Sequence, residues 1–216
     1  MSLRNSLFLF LVFLFASAVV CAGPNPDRMK HGKPVVCPIT KDYNVGDRGP
    51  ANGWIIYKKP VASGQSEETC WQYLEAAPVD SPISVWSNVK DKLVGGTSTG
   101  VGNGQDNTKK IMAQAGHTAS AAKVCNDLVV KYNGQTFKGW FLPSMDELDL
   151  MYQLLAKVDN KGGFATIYDK GTALYPRYWS SSEDAEDGAW GQGFVGGSQP
   201  GFFKSAHSNV RCARAF

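Results

Sequence analysis

The chain has 216 residues, with 22 Lys and Arg against 19 Asp and Glu, 23 Gly, 6 Trp and 5 Cys. That length gives one ordinary domain with a real core, and 43% hydrophobic with 12% aromatic residues argues against a disordered chain. A formal charge of +3 with no Lys/Arg-rich run speaks against a nucleic-acid binder, and three scattered histidines (His31, His117, His207) speak against a His-rich metal centre.

Residues 1–22 have the form of a secretory leader: Arg4 precedes an unbroken apolar run, Leu7 to Phe15, and Val20-Cys21-Ala22 offers small residues for cleavage after Ala22. The whole run from Leu7 to Ala22 falls short of the roughly 18–20 residues of a spanning helix, and Gly23-Pro24 ends it. The alternative is a lipid anchor on Cys21, which is opposed by Val20, where such signals carry Gly, Ala or Ser. The expected localisation is therefore secreted, periplasmic or cell-surface, with no transmembrane span after cleavage. Loss of Cys21 leaves Cys37, Cys70, Cys125 and Cys212. An even number in an oxidising compartment reads as two disulfides, and spacing does not choose among the three connectivities.

Residues 23–42 read as a tether, rich in Pro and Lys. Turn chemistry over Gly46–Gly53 leads to a buried strand at Trp54–Tyr57, then a second at Trp71–Ala77 stopped by Pro78, and a short third at Ser84–Trp86. Gly95–Gly104 is a loop, after which Asn107 or Thr108 would cap a short helix. Ala121, Ala122, Cys125, Leu128, Val129 and Tyr132 recur at helical spacing from Thr118, a suitable N-cap, to a stop at Asn133-Gly134. Gly139–Leu142 is a linking strand. Ser144 and Glu147 form a capping box for a second helix with the apolar face Leu148, Met151, Leu154, Leu155 and Val158. Short strands follow at Tyr178–Ser180, Ala189–Phe194, Gly201–Lys204 and Val210–Arg214. Strands, helices, then strands predict an α+β fold with an antiparallel sheet. No internal repeat and no collagen-type GXY run is present.

Tyr43-Asn-Val-Gly-Asp-Arg-Gly-Pro-Ala-Asn-Gly-Trp-Ile-Ile-Tyr57, Tyr73-Leu-Glu-Ala-Ala-Pro78, Gly139-Trp-Phe-Leu-Pro-Ser-Met-Asp-Glu-Leu148, Tyr178-Trp-Ser-Ser-Ser-Glu183 and Val210-Arg-Cys-Ala-Arg-Ala-Phe216 occur in that order. Over residues 43–216 the chain thereby resembles the Lcl C-terminal domain family, named for the end domain of a bacterial collagen-like adhesin. The resemblance implies a C-type-lectin-like domain, two main helices against short antiparallel strands with long Gly-rich loops. It also implies binding of sulfated glycans at a surface, and a homo-oligomer. In C-type-lectin-like domains a helix cysteine is bridged to one on the last strand, which implies Cys125–Cys212 here and leaves Cys37 with Cys70.

No catalytic constellation stands out. Ser180-Ser181-Ser182 is not in a GxSxG elbow, and Gly100–Lys110 matches neither GxxxxGK[ST] nor GxGxxG. No cofactor is expected; Glu183, Asp184, Glu186 and Asp187 form an acidic cluster that offers oxygen ligands for calcium, without an EF-hand ladder. Residues 188–216 contain Lys204, Arg211 and Arg214 and no Asp or Glu. Basic side chains pair with sulfates and carboxylates, and indoles stack on sugar rings. The candidate ligand residues are therefore Lys204, Arg211, Trp190 and Trp179, with Lys109 and Lys110 next. Alternation in the terminal strand puts Val210, Cys212 and Arg214 on one face, with Arg214 a buried partner for Glu147 or Glu183, and Arg211 on the other; neither Lys204 nor Arg211 is assigned inward. The expected function is a secreted, non-enzymatic module recognising an acidic or sulfated glycan or cell-surface component. The alternative is a structural or protein-binding module in an envelope or extracellular assembly.

Overall fold

The C-terminal segment that reads as one strand, Val210 to Arg214, is two. Strand β10 (His207–Val210) ends one sheet and β11 (Ala213–Ala215) begins another, with Arg211-Cys212 crossing between them. The computed structural model describes residues 41–60, 71–165 and 176–216. The leader, most of the tether, Cys37 and Cys70 lie outside the described residues.

The first sheet takes β1 (Trp54–Lys58), β2 (Tyr73–Ala76), β11 and β6 (Trp140–Phe141), in the order β1-β2-β11-β6. The second takes β3 (Ser81–Val85), β7 (Arg177–Glu183), β8 (Gly188–Gly193) and β9 (Gly201–Phe203), in the order β3-β10-β7-β8-β9. Pairing is antiparallel except where Asn209 of β10 meets Tyr178 of β7 in parallel. The arrangement is α+β, as the order of patterns in the sequence predicts.

Among the described residues three α-helices lie against these sheets: α1 (Gly104–Ala113), α2 (Ala121–Asn126) and α3 (Met145–Met151). One core packs Trp86, Trp140, Trp179, Ile111, Ala122 and Val210 around α1 and α2. Another packs Ile56, Leu74, Leu148, Met151, Tyr178 and Phe194 around α3. A third, smaller cluster joins Tyr43, Ile55 and Tyr73 to Phe216, so the two ends of the described fold meet.

Several local expectations are corrected. The stripe from Thr118 to Tyr132 is not one helix. Ser120, rather than Thr118, caps α2 by accepting the Lys123 N–H at 2.9 Å, and α2 stops at Asn126. Strands β4 (Val130–Tyr132) and β5 (Gln135–Phe137) then form a hairpin. Asn133-Gly134, read as a helix stop, is its two-residue turn with φ of 47° and 74°. The same dipeptide serves both purposes, and the β-branched and aromatic residues beside it decide for the hairpin. Asn107 and Thr108 sit inside α1, not at its cap, which is Asn103.

The capping box of α3 is present: Ser144 Oγ accepts the Glu147 N–H at 3.4 Å, and Glu147 Oε2 accepts the Ser144 N–H at 2.8 Å. Beyond Met151 the helix widens into a π-helical turn, Tyr152–Ala156. That change of pitch takes Val158 off the apolar face, and it is 90% exposed.

Cys125 and Cys212 are disulfide-bonded, joining α2 to the crossover at a sequence separation of 87. A closed loop of that length restricts the unfolded chain by about 4–5 kcal/mol in the chain-entropy description. Non-reducing peptide mapping is expected to return the Cys125–Cys212 peptide, and Cys125→Ala/Cys212→Ala to lose stability of that order in denaturant titration.

At the start of the described fold, Asp42 accepts hydrogen bonds from Lys58 Nζ (2.7 Å) and from the Tyr73 hydroxyl. These bonds hold its carboxyl below the usual carboxylate range. A lowered folded value means that the tie contributes above the unfolded value near 3.8 and fades as pH falls through the folded one. Thermal melts should therefore separate wild type from Asp42→Asn at pH 5–7 and converge below about pH 4.

Candidate functional site

The basic residues that the sequence offers as a surface patch are inside. Lys204, just after β9, is fully buried, with Nζ 2.6 Å from Glu183 Oε1, 2.6 Å from the Glu186 carbonyl and 2.9 Å from the Lys92 carbonyl. Glu183 completes the arrangement by accepting the Val94 N–H at 2.7 Å and the Gly95 N–H at 2.9 Å. The pair fastens the loop through Lys92–Gly95 to the β7–β8 turn.

Arg211 is also fully buried, donating to Asp80 Oδ1 (2.6 Å) and to the carbonyls of Ala77 (3.1 Å), Gly162 (3.0 Å) and Gly163 (3.4 Å). Asp80 accepts the Tyr178 hydroxyl as well, at 2.7 Å, and burial pushes that phenol's pKa up. The expectation that Lys204 and Arg211 face solvent is thus overturned. For Arg211, a crossover between sheets replaces the continuous strand on which the alternation was counted; Lys204 is drawn inward by Glu183 and the carbonyls of Glu186 and Lys92.

Arg214 does turn inward, but its partner is Glu75, at 2.7 Å, rather than Glu147 or Glu183. Glu75 also accepts the N–H groups of Ala51 (3.0 Å) and Gly53 (2.9 Å). Glu147 accepts N–H groups from Gly102 (2.8 Å) and Ser144, and burial pushes its pKa up in spite of them. A Cβ on Gly104 would stand 2.2 Å from Glu147 Oε2, so the start of α1 needs glycine there.

Trp179 is a core residue whose indole N–H donates to the Ser84 carbonyl at 3.1 Å, and it has no exposed face for a ligand. Trp190 is half-buried. Lys109 and Lys110 are exposed, as a ligand patch requires; the first pairs with Asp106 at 3.1 Å and the second donates to the Gly96 carbonyl.

The hydroxyls of Ser180, Ser181 and Ser182 hold structure. Ser180 donates to the Trp190 carbonyl (2.7 Å), Ser181 meets Asn107 Nδ2 (3.1 Å), and Ser182 donates to the Ser98 carbonyl (2.9 Å). His117 Nε2 lies 2.8 Å from Ser120 Oγ, and burial keeps its pKa below the usual histidine value. In the acidic cluster, Glu183 points inward to Lys204 while Asp184, Glu186 and Asp187 are exposed, so the four do not converge as a calcium site. Among the described residues no group of three or more His, Cys, Asp or Glu is placed to hold a metal ion.

A site that the sequence reading passed over lies along β1. The Arg48 guanidinium stands 3.7 Å from the centroid of the Trp54 indole, and Lys161 Nζ lies 5.5 Å from the same ring. Further along, Tyr57 and Trp71 have ring centroids 6.1 Å apart, with Lys59 Nζ 4.9 Å from Trp71. Trp54, Tyr57 and Trp71 are half-buried at the margin of the α3 core. Arg48 donates to the Asn52 carbonyl at 2.8 Å, and neither it nor Lys161 is in an ion pair among the described residues. Stacking on the indole positions the guanidinium and leaves other donors free. The signal was present as Arg48 followed by Trp54, but the two read there as turn and strand.

No protein-family model matches the chain, and a search of curated proteins finds no match either. Among the described residues no helix is long and apolar enough to cross a membrane.

Removing Lys204 strands a buried carboxylate, so Lys204→Met should lose about 3–5 kcal/mol of stability in urea titration. Lys109→Ala, at an exposed pair, should stay within about 0.5 kcal/mol of wild type.

Proposed function

We propose that this chain is a secreted, non-catalytic binding module of C-type-lectin-like architecture, related to the Lcl C-terminal domain, that recognises an acidic or sulfated glycan. The observation that carries the reading is the cation–aromatic rim of β1. Arg48 and Lys161 supply positive charge beside one indole, and Trp54, Tyr57 and Trp71 supply ring faces and edges. Sulfate and carboxylate groups pair with guanidinium and ammonium groups, and the apolar faces of sugar rings pack on aromatic surfaces. The architecture draws support from the bridge between α2 and the segment leading into the last strand.

Cation-independent binding is part of this reading, and it draws support from Glu183, one of the four acids that could offer calcium ligands, being paired with Lys204. The alternative, a module that assembles with other proteins in an envelope or extracellular structure, draws on a different observation, the uncharged edge of the five-stranded sheet.

The test is heparin-column elution and a glycan array on the oxidised protein, with and without chelator. Wild type is expected to bind at near-physiological salt, independently of chelator, and to elute as salt screens exposed charge over roughly 10 Å at 0.1 M. Arg48→Ala/Lys161→Ala should weaken binding by about 1–2 kcal/mol with an unchanged melt. If Lys109→Ala/Lys110→Ala abolishes binding and the rim variant does not, the ligand lies on α1 and the rim assignment falls. If wild type fails to bind, the glycan reading falls with it.

A further inference from the structure

We propose that β9 is a self-association edge, through which two copies of this chain pair as antiparallel strands about a two-fold axis. β9 is the outermost strand of the five-stranded sheet. From Gly188 to Phe203, covering β8, the connecting loop and β9, the sequence contains no Asp, Glu, Lys, Arg or His. Edge strands are normally kept apart by charged side chains, prolines, bulges or a covering element. Here the charged side chains are missing from the whole hairpin, and residues 198–201 are exposed.

The hydrogen-bond directions leave the outer edge open. Ala189 pairs with Phe202, the Gly191 N–H goes to the Pro200 carbonyl at 3.2 Å, and the Lys204 N–H goes to the Asp187 carbonyl at 2.7 Å. Alternation then turns the backbone groups of Phe202 toward β8 and those of Gly201 and Phe203 outward. The Phe203 carbonyl is used by the Ala206 N–H at 2.8 Å, which among the described residues leaves the Gly201 N–H and carbonyl and the Phe203 N–H for a neighbouring strand. Pro200 lacks its N–H on the β8 side, so it does not blunt the outer side.

The surroundings suit a second copy better than an unrelated strand. A two-fold contact brings a patch onto itself, so any charges it carries must occur in both signs to be self-complementary. A depression of about 320 Å³ beside β9 has that composition: Phe202, Phe203 and Ala206 with Arg177 on one hand and Asp184 and Asp187 on the other. Phe203 is 69% exposed. Arg177 lies 4.1 Å over the Phe202 ring, donates to Ser208 Oγ at 3.0 Å, and has no ion-pair partner among the described residues. A Cβ on Gly201 would stand 2.2 Å from Asp184 Oδ2, which places that carboxylate over one face of β9 and flanking its open edge. A three-residue strand offers few bonds, so the dimer belongs to the weak, reversible class.

Sedimentation velocity of the oxidised protein over about a hundredfold range of concentration tests this, since a weak dimer follows mass action. A monomer–dimer equilibrium is expected. Phe203→Lys, which restores a charge to the edge, should raise the dissociation constant at least about tenfold. Val158→Lys, at a 90% exposed position elsewhere, should leave it unchanged. Arg177→Glu and Asp184→Lys/Asp187→Lys should each dissociate alone and form a mixed dimer when combined, with near-UV circular dichroism confirming that each variant is folded. A wild type that stays monomeric throughout, including one that pairs only with another protein, overturns the proposal. So does a dimer that Phe203→Lys leaves intact, or a mixture that forms no mixed dimer.

Discussion

Arg211 and Cys212 are the two residues on which the joining of the sheets depends. The chain leaves the five-stranded sheet at Val210 and enters the four-stranded one at Ala213. A crossover between sheets carries backbone and side chains through the centre of a domain, where water cannot solvate them. Arg211 spreads its donors over the link between β2 and β3 and over the glycines after α3, while Cys212 is bonded to α2 and its carbonyl accepts the Ala77 N–H at 2.8 Å. The crossover is fixed from three directions. A planar guanidinium suits this position because its five donors reach several carbonyls at once, which an ammonium at the same place cannot do.

The same physics recurs in the loops. Long Gly-rich segments have no ladder of their own, so their N–H groups need acceptors when they pack against the body. Three buried glutamates supply them: Glu75 to Ala51 and Gly53, Glu147 to Gly102 and Ser144, and Glu183 to Val94 and Gly95. Two of these carboxylates are balanced by a buried or nearly buried cation, Arg214 for Glu75 and Lys204 for Glu183. Glu147 has no such cation among the described residues and is held by N–H groups and the Ser144 side chain, over which burial prevails, so its pKa rises.

The legibility of this fold in its sequence followed the range of the forces involved. The Ser144–Glu147 capping box, the strand at Trp54–Tyr57 and the strand before Pro78 were readable because near neighbours decide them. The segment Thr118–Tyr132 was misread because its periodicity fits a helix, whereas the hairpin around Asn133-Gly134 wins through turn chemistry and pairing with Gln135–Phe137. The site was least readable. Residues 188–216 hold no acid, so Lys204 and Arg211 read as an unpaired surface patch, and Arg214 is matched to Glu147 or Glu183 rather than to Glu75. Their partners stand 21, 131 and 139 residues away. Charge pairing depends on distance in space, which a window along the chain does not measure.

Once those three cations are placed inside, what remains outside is divided between the sheets. The outer strand of the four-stranded sheet carries the rim of Arg48, Trp54, Tyr57, Lys59, Lys161 and Trp71, where charge and aromatic surface coincide. The outer strand of the five-stranded sheet carries the opposite chemistry, an exposed phenylalanine and open backbone with its charges only at the flanks. A charged rim attracts a hydrated polyanion and is weakened by salt, whereas backbone pairing around an apolar centre is not screened in that way. The two edges share no residue, so the pairing proposed for β9 does not draw on the β1 rim, and two rims so joined would engage one chain-like ligand by effective concentration rather than by new contacts.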